Sequence, residues 1–161
     1  MTRKEYNICV DTHADAVYRF ILKNIRDEEA AKDIVQDTFE KIWIRHEEIN
    51  FEKSKSYLFT AAFRTLIDYT RKRKYVMPEE AAPAQSLYHE NQYSDVKEIV
   101  EAALNTLPEK QKAVITLRDL EGYSYEEIGE ITGLNESQVK VYIYRGRLAI
   151  KEYISKLDIV L

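Results

Sequence analysis

Residues 124–147 read SYEEIGEITGLNESQVKVYIYRGR, and this stretch decides the fold class. Ser124 followed by Glu127 has the spacing of a capping box, in which each side chain closes an unpaired amide at a helix start, and Asn135 followed by Gln138 repeats it. Two helices therefore begin here. Gly133 between them supplies the left-handed backbone that ends the first helix without a Cβ penalty. The pair is a helix-turn-helix. Gly129 costs about 1 kcal/mol relative to Ala inside a helix, so a close helix-helix approach is expected there.

In the second helix Val139, Ile143, Gly146, Ile150 and Ile154 fall on one arc at 3.6 residues per turn and are expected to face a core. From Gln138 to Lys151 the chain holds Lys140, Arg145, Arg147 and Lys151 and no acid. Ser137, Lys140, Val141, Tyr144 and Arg145 point away from the apolar arc near the helix start. In a helix-turn-helix such residues reach base edges in the major groove.

The 161 residues are 45% hydrophobic, enough for one sizeable core or two small ones. Acids number 28 against 24 bases, a net charge of −4 that disfavours unaided binding to polyanionic DNA. A locally basic face on an acidic chain implies a larger partner that supplies most of the DNA affinity. The single cysteine, Cys9, excludes an internal disulfide and suits a reducing compartment. Cys9 and His13 could share a helix turn, but two candidate ligands without a third make no metal site, and no metal is expected. No signal peptide or membrane span is expected, and a cytoplasmic location follows. Glycine-rich phosphate loops, nucleophile elbows and ligand clusters are all missing, so neither catalysis, a cofactor nor a small-molecule substrate is expected.

Upstream, Val10, Ala14, Val17, Ile21 and Ile25 mark a first amphipathic helix over about 11–26. A second, about 28–46, has Ala31, Ile34, Val35, Phe39, Ile42 and Trp43 on a broad apolar side and Asp33, Gln36, Asp37 and Glu40 opposite, a row that solvation alone would account for. After a polar loop holding Asn50, Lys53, Ser54 and Lys55, a third helix runs over about 56–73, with Leu58, Ala62, Leu66 and Tyr69 inward. Arg64, Asp68 and Arg71 lie on another side. The helix ends in Arg71-Lys72-Arg73-Lys74, which suits both the helix dipole and a phosphate-binding edge.

Residues 75–94, with Pro78, Pro83 and acids but no lysine or arginine, read as a linker of at most about 66 Å extended. The C-terminal module, 95–161, is expected to have four helices. Val96, Ile99, Val100, Ala103, Leu104 and Leu107 form one apolar side, and after Pro108 a further helix buries Ala113, Val114, Leu117 and Leu120. The fold class is thus all-α: two small helical modules, 1–74 and 95–161, joined by a flexible linker.

The order of parts, with DIVQDTFEKIW, then a basic third helix ending RKRK, then LNTLPEKQKAVITLRDLEGYSYEEIGEITGLNESQVK, resembles an extracytoplasmic-function (ECF) sigma factor of the bacterial sigma-70 family. That resemblance covers nearly the whole chain. It implies that Asp33, Gln36 and Asp37, with Glu40 beside them, bind core RNA polymerase. It also implies that Asn50, Lys53, Ser54 and Lys55 belong to the loop that captures an unstacked base of the minus-10 element, and that Arg64, Asp68 and Arg71 read and melt it. Lys140, Val141 and Arg145, flanked by Ser137, Gln138, Tyr144 and Arg147, would contact the minus-35 element. The family's usual Ala-Arg-Asn in the third helix is Ala62-Phe63-Arg64 here, and its common recognition-helix Arg is Tyr142. The partners implied are core RNA polymerase, promoter DNA and an anti-sigma protein. A free-standing helix-turn-helix repressor and a helical protein-docking adaptor are the rival readings.

Overall fold

A computed structural model describes residues 1–76 and 92–158, with side chains over 1–75 and 96–157. Most of the expected linker, including Pro78 and Pro83, lies outside them.

Helix α1 spans Arg3–Ile25. It starts well before the expected 11, because Thr2 and Glu5 form a capping box of their own and the first two turns carry little apolar periodicity. Arg26, in the left-handed conformation at φ 54°, ends α1, and Asp27 accepts from the Ala30 amide to start α2, Glu28–Ile44. Two short 3₁₀ turns, His46–Glu48 and Phe51–Lys53, lead into α3, Ser54–Val76. These three helices pack pairwise on one another.

The C-terminal module has α4, Gln92–Asn105; α5, Glu109–Ile115; α6, Tyr125–Thr132; and α7, Glu136–Asp158. Both expected caps are present: Ser124 with Glu127, and Asn135 with Gln138 at 3.1 and 2.8 Å. Gly133 is left-handed at φ 78°, as the turn requires. Gly129 makes its close approach to the turn rather than to a second helix, since a Cβ there would lie 2.9 Å from the Leu134 carbonyl oxygen. The helix-helix approach occurs instead at Gly146, where a Cβ would overlap Ile115. That glycine lets α7 lie directly on α5.

Leu120, expected in the core, is 46% exposed. Between α5 and α6 the chain makes one turn of π-helix, Thr116–Leu120, in which the Glu121 amide reaches the Thr116 carbonyl. The extra residue turns Leu120 outward and Tyr123 inward. Val96, at 65%, and Val100 also lie open, on the side of α4 turned away from α7, its main neighbour.

The buried side chains settle the choice between one core and two. Val17, Phe20 and Ile21 of α1, Leu58, Phe59 and Leu66 of α3, and Val114, Leu117, Ile128 and Ile131 of the C-terminal module belong to one continuous cluster. A small second cluster, Leu104, Leu107 and Ile115, lies under α4. Phe59 is the joint, its ring 5.7 Å from Phe20 and 5.3 Å edge-on to Tyr123. Thus α5 and α6 stack on α1 and α3, while α2 lies on the far side.

Candidate nucleic-acid interface

Helix α7 sorts its residues by face. Val139 and Ile143 are buried, whereas Ser137, Lys140, Val141, Tyr144, Arg145 and Arg147 are exposed. Tyr144 at 69% and Val141 at 41% put apolar surface among the bases, the kind of surface that packs on a thymine methyl. Not every expected residue is equally available. The Gln138 side-chain oxygen Oε1 accepts from the Asn135 backbone amide, so its first task is to hold the helix start. Arg147 makes a two-nitrogen contact with Asp119 at 2.6 and 3.5 Å, which raises the guanidinium pKa further and fixes its direction. Lys140 pairs with Glu136 at 3.6 Å and lies 6.0 Å from the centroid of the Tyr125 ring, which Arg118 also covers at 4.6 Å. A phosphate or base edge has to compete with Glu136 for this lysine.

In the N-terminal module, Arg64, Asp68 and Arg71 are exposed and share one side of α3. Phe63, beside Arg64, is buried. The loop is more structured than its polar composition suggests: the Asn50 side chain accepts from the Glu52 amide at 3.1 Å and tightens the second 3₁₀ turn. Lys53 and Lys55 are exposed. Lys55 extends over the Tyr123 ring, 4.9 Å from its centroid, and so touches the other module. Ser54 is corrected. At 4% exposure it is the buried first residue of α3 and has no surface to offer a base.

Asp33, Gln36, Asp37 and Glu40 form an outward row on α2, all exposed, with no hydrogen bond or ion pair to another side chain among the described residues. Beside the row is an aromatic group that spacing could not reveal. Trp43, expected in the core, is 38% exposed and stacks on His46 at 4.2 Å and 5°, with Tyr6 4.9 Å away on α1. Nothing in sequence periodicity joins residue 6 to residue 43.

The comparisons with known proteins agree with this layout. Family models match at both ends of the chain: sigma-70 region 2 over residues 9–75, and sigma-70, region 4 over residues 97–150. RNA polymerase sigma factor SigV of Bacillus subtilis is 34% identical over 154 residues, which covers 94% of this chain and 92% of the relative. The chain is an ECF sigma factor of the sigma-70 family.

Sigma factors act in promoter recognition and transcription initiation, and that is the activity of this chain. A further ECF relative, SigM of B. subtilis, is 29% identical over 84% of this chain and 86% of its own length. Among solved structures, the sigma factor RpoE in complex with the anti-sigma factor NepR from Bartonella quintana superposes with a TM-score of 0.77 at 26% identity, covering 94% of this chain and 98% of that one. CnrH, solved with the cytosolic domain of CnrY, shares the fold at a TM-score of 0.74 and 20% identity. The two family matches place the outward row of α2 and the outward side of α3 in region 2, and the basic face of α7 in region 4. No described helix is long and apolar enough to cross a membrane.

Proposed function

We propose that this sigma factor divides its work by face. The α2 row of Asp33, Gln36, Asp37 and Glu40 binds core RNA polymerase. Asn50, Lys53 and Lys55 with Arg64, Asp68 and Arg71 engage the minus-10 element, and Ser137, Lys140, Val141, Tyr144 and Arg145 read the minus-35 element, with Arg147 on the flanking phosphate. The domains that do this are 1–74 and 95–161. The chain catalyses nothing itself, works in the cytoplasm, and is held in check by an anti-sigma protein, as the complex of its structural relative with NepR suggests.

One observation carries this reading: the acids outward on α2 and the bases outward on α7 fall one in each family-matched segment, with α3 between them. Opposite charges on separate faces suit a protein partner at one end and DNA at the other. The test is transcription by core polymerase with the native chain or with Lys140→Ala/Arg145→Ala. Each lost base contact is worth about 1–3 kcal/mol, so the double variant should lower promoter-specific initiation at least tenfold while still binding core. Undiminished promoter-specific initiation would remove α7 from promoter reading and favour the docking adaptor.

A further inference from the structure

Lys112 is a buried base without a counter-charge. It is 7% exposed, and its amine donates to the Asn24 carbonyl and to Asn105 Oδ1, both neutral acceptors, with no ion pair among the described residues. A buried charge is ordinarily paired, because the interior solvates it poorly. The acids that act on this lysine are engaged by other bases: Glu109 by Lys74 at 2.7 Å, and Glu101 by Lys23 at 2.9 Å and Arg26 at 3.4 Å. Arg73 also acts on it, and has no ion pair of its own among the described residues. Burial, and then repulsion from Arg26 and Arg73, bring the Lys112 pKa down to about 8, which leaves the amine mostly protonated at pH 7. Positive charge is therefore in excess here.

The same lysine lies on the wall of a cavity of about 400 Å³. Leu66, Thr70 and Lys74, one stripe of α3, form one side of it, and Asn105 and Leu107 belong to the other. Arg73 falls on that same side of α3. Asn105 turns its Oδ1 to Lys112, so the N–H groups of its Nδ2 are left without a partner among the described residues. Donors and positive charge thus converge on a space that also offers apolar surface from two leucines.

The size and chemistry of the cavity limit what fits. Clefts that hold small molecules run from about 300 to 1,000 Å³, more than a bare inorganic ion needs. Water can answer polar groups but brings no charge to Lys112. A phosphate group brings that charge and several acceptor oxygens, and a lysine amine is a common partner for it. Arg64, Asp68 and Arg71 lie off the stripe of Leu66, Thr70 and Lys74, so the cavity is separate from the α3 side assigned to the minus-10 element.

We propose that this cavity is a binding site for a small phosphorylated metabolite: Lys112 and the Asn105 amide hold the phosphate, Arg73 adds to the field, and the organic part lies along Leu66 and Leu107. The site does not rest on the assignment of the promoter-binding and polymerase-binding faces. A ligand there stabilises the folded chain by mass action, so the lifetime of this sigma factor would follow the supply of the metabolite.

Isothermal titration calorimetry of the full chain with ribose 5-phosphate, at constant ionic strength, tests it, with circular dichroism as the fold control. One ribose 5-phosphate should bind per chain with a Kd below about 1 mM. Ribose, which lacks the charge, should not bind, and inorganic phosphate should bind at least tenfold more weakly because it gains no contact with the leucines. Lys112→Met should weaken ribose 5-phosphate at least tenfold. Should that variant fail to fold, Arg73→Gln/Asn105→Ala, in which neither residue is buried, should weaken it at least threefold. The absence of saturable binding to the native chain, or a folded variant that binds as tightly as the native one, would overturn the site. Equal affinity for inorganic phosphate and ribose 5-phosphate would reduce it to an adventitious ion only and overturn the metabolite.

Discussion

The interior of the N-terminal module and the seam that joins it to the C-terminal module are both buried, yet they are built from different materials. Between α1, α2 and α3 the contacts are Val17, Phe20, Ile21, Ile34, Leu58 and Leu66, none more than 4% exposed, and their attraction needs no particular direction. At the seam the apolar cluster continues into the C-terminal module, and ion pairs, a buried lysine and a hydrogen-bonded asparagine are added to it. Their strength depends on salt and on protonation. The difference teaches where stability responds to salt and pH, at the seam more than in the N-terminal interior.

Loss of packing should have the largest effect. Phe20→Ala removes a fully buried ring from the centre of the apolar cluster and should lower unfolding free energy by about 3–5 kcal/mol, read by urea titration. A loss below about 1 kcal/mol would mean that this interior is no better packed than the seam.

Proton release from the seam comes next. Lys112 is buried, and desolvation, reinforced by Arg26 and Arg73 and opposed by Glu109 and Glu101, lowers its pKa from 10.5 to about 8. Between those values the native state has released a proton that the unfolded chain still holds. Stability therefore rises with pH across this window and is lost as pH falls through about 8. From pH 7.5 to 9.5 the native chain should gain about 1–2 kcal/mol that Lys112→Met does not gain. An equal gain in both would assign the effect to other groups.

The smallest effect is expected where charges face water. Arg45 and Glu48 pair at 3.4 Å with both side chains about 70% exposed, and Arg45→Ala should change stability by less than about 0.5 kcal/mol. A larger loss would show that exposed pairs contribute more to this fold than their access to water allows.

How much of this could be read in the sequence follows from the range of each interaction. Caps and turns are local, so Ser124 with Glu127, Asn135 with Gln138, and Gly133 were legible, and with them the helix-turn-helix. Helical periodicity spans a few turns, so the outward row on α2 and the sorted faces of α7 were legible too. The start of α1 was not, because its signal is the Thr2–Glu5 cap and not an apolar repeat. Leu120 turns outward because a π turn adds one residue to a pattern that otherwise advances by 3.6. Ser54 looked like loop and is helix start, because the preceding 3₁₀ turn is closed by Asn50. The seam was beyond reach: Arg19 meets Glu121 across 102 positions and Lys23 meets Glu101 across 78, and no periodicity carries that far.

The most direct test of the functional assignment is co-purification with core RNA polymerase, comparing the native chain with Asp33→Ala/Gln36→Ala/Asp37→Ala. Because these three side chains are exposed and make no hydrogen bond or ion pair to another side chain among the described residues, the triple variant should keep its helical signal and melting point. The native chain should bind core stoichiometrically and the variant at least tenfold more weakly. A folded native chain that fails to bind core with no anti-sigma protein present, or a variant that binds as well as the native chain, would contradict the polymerase contact on which the account depends.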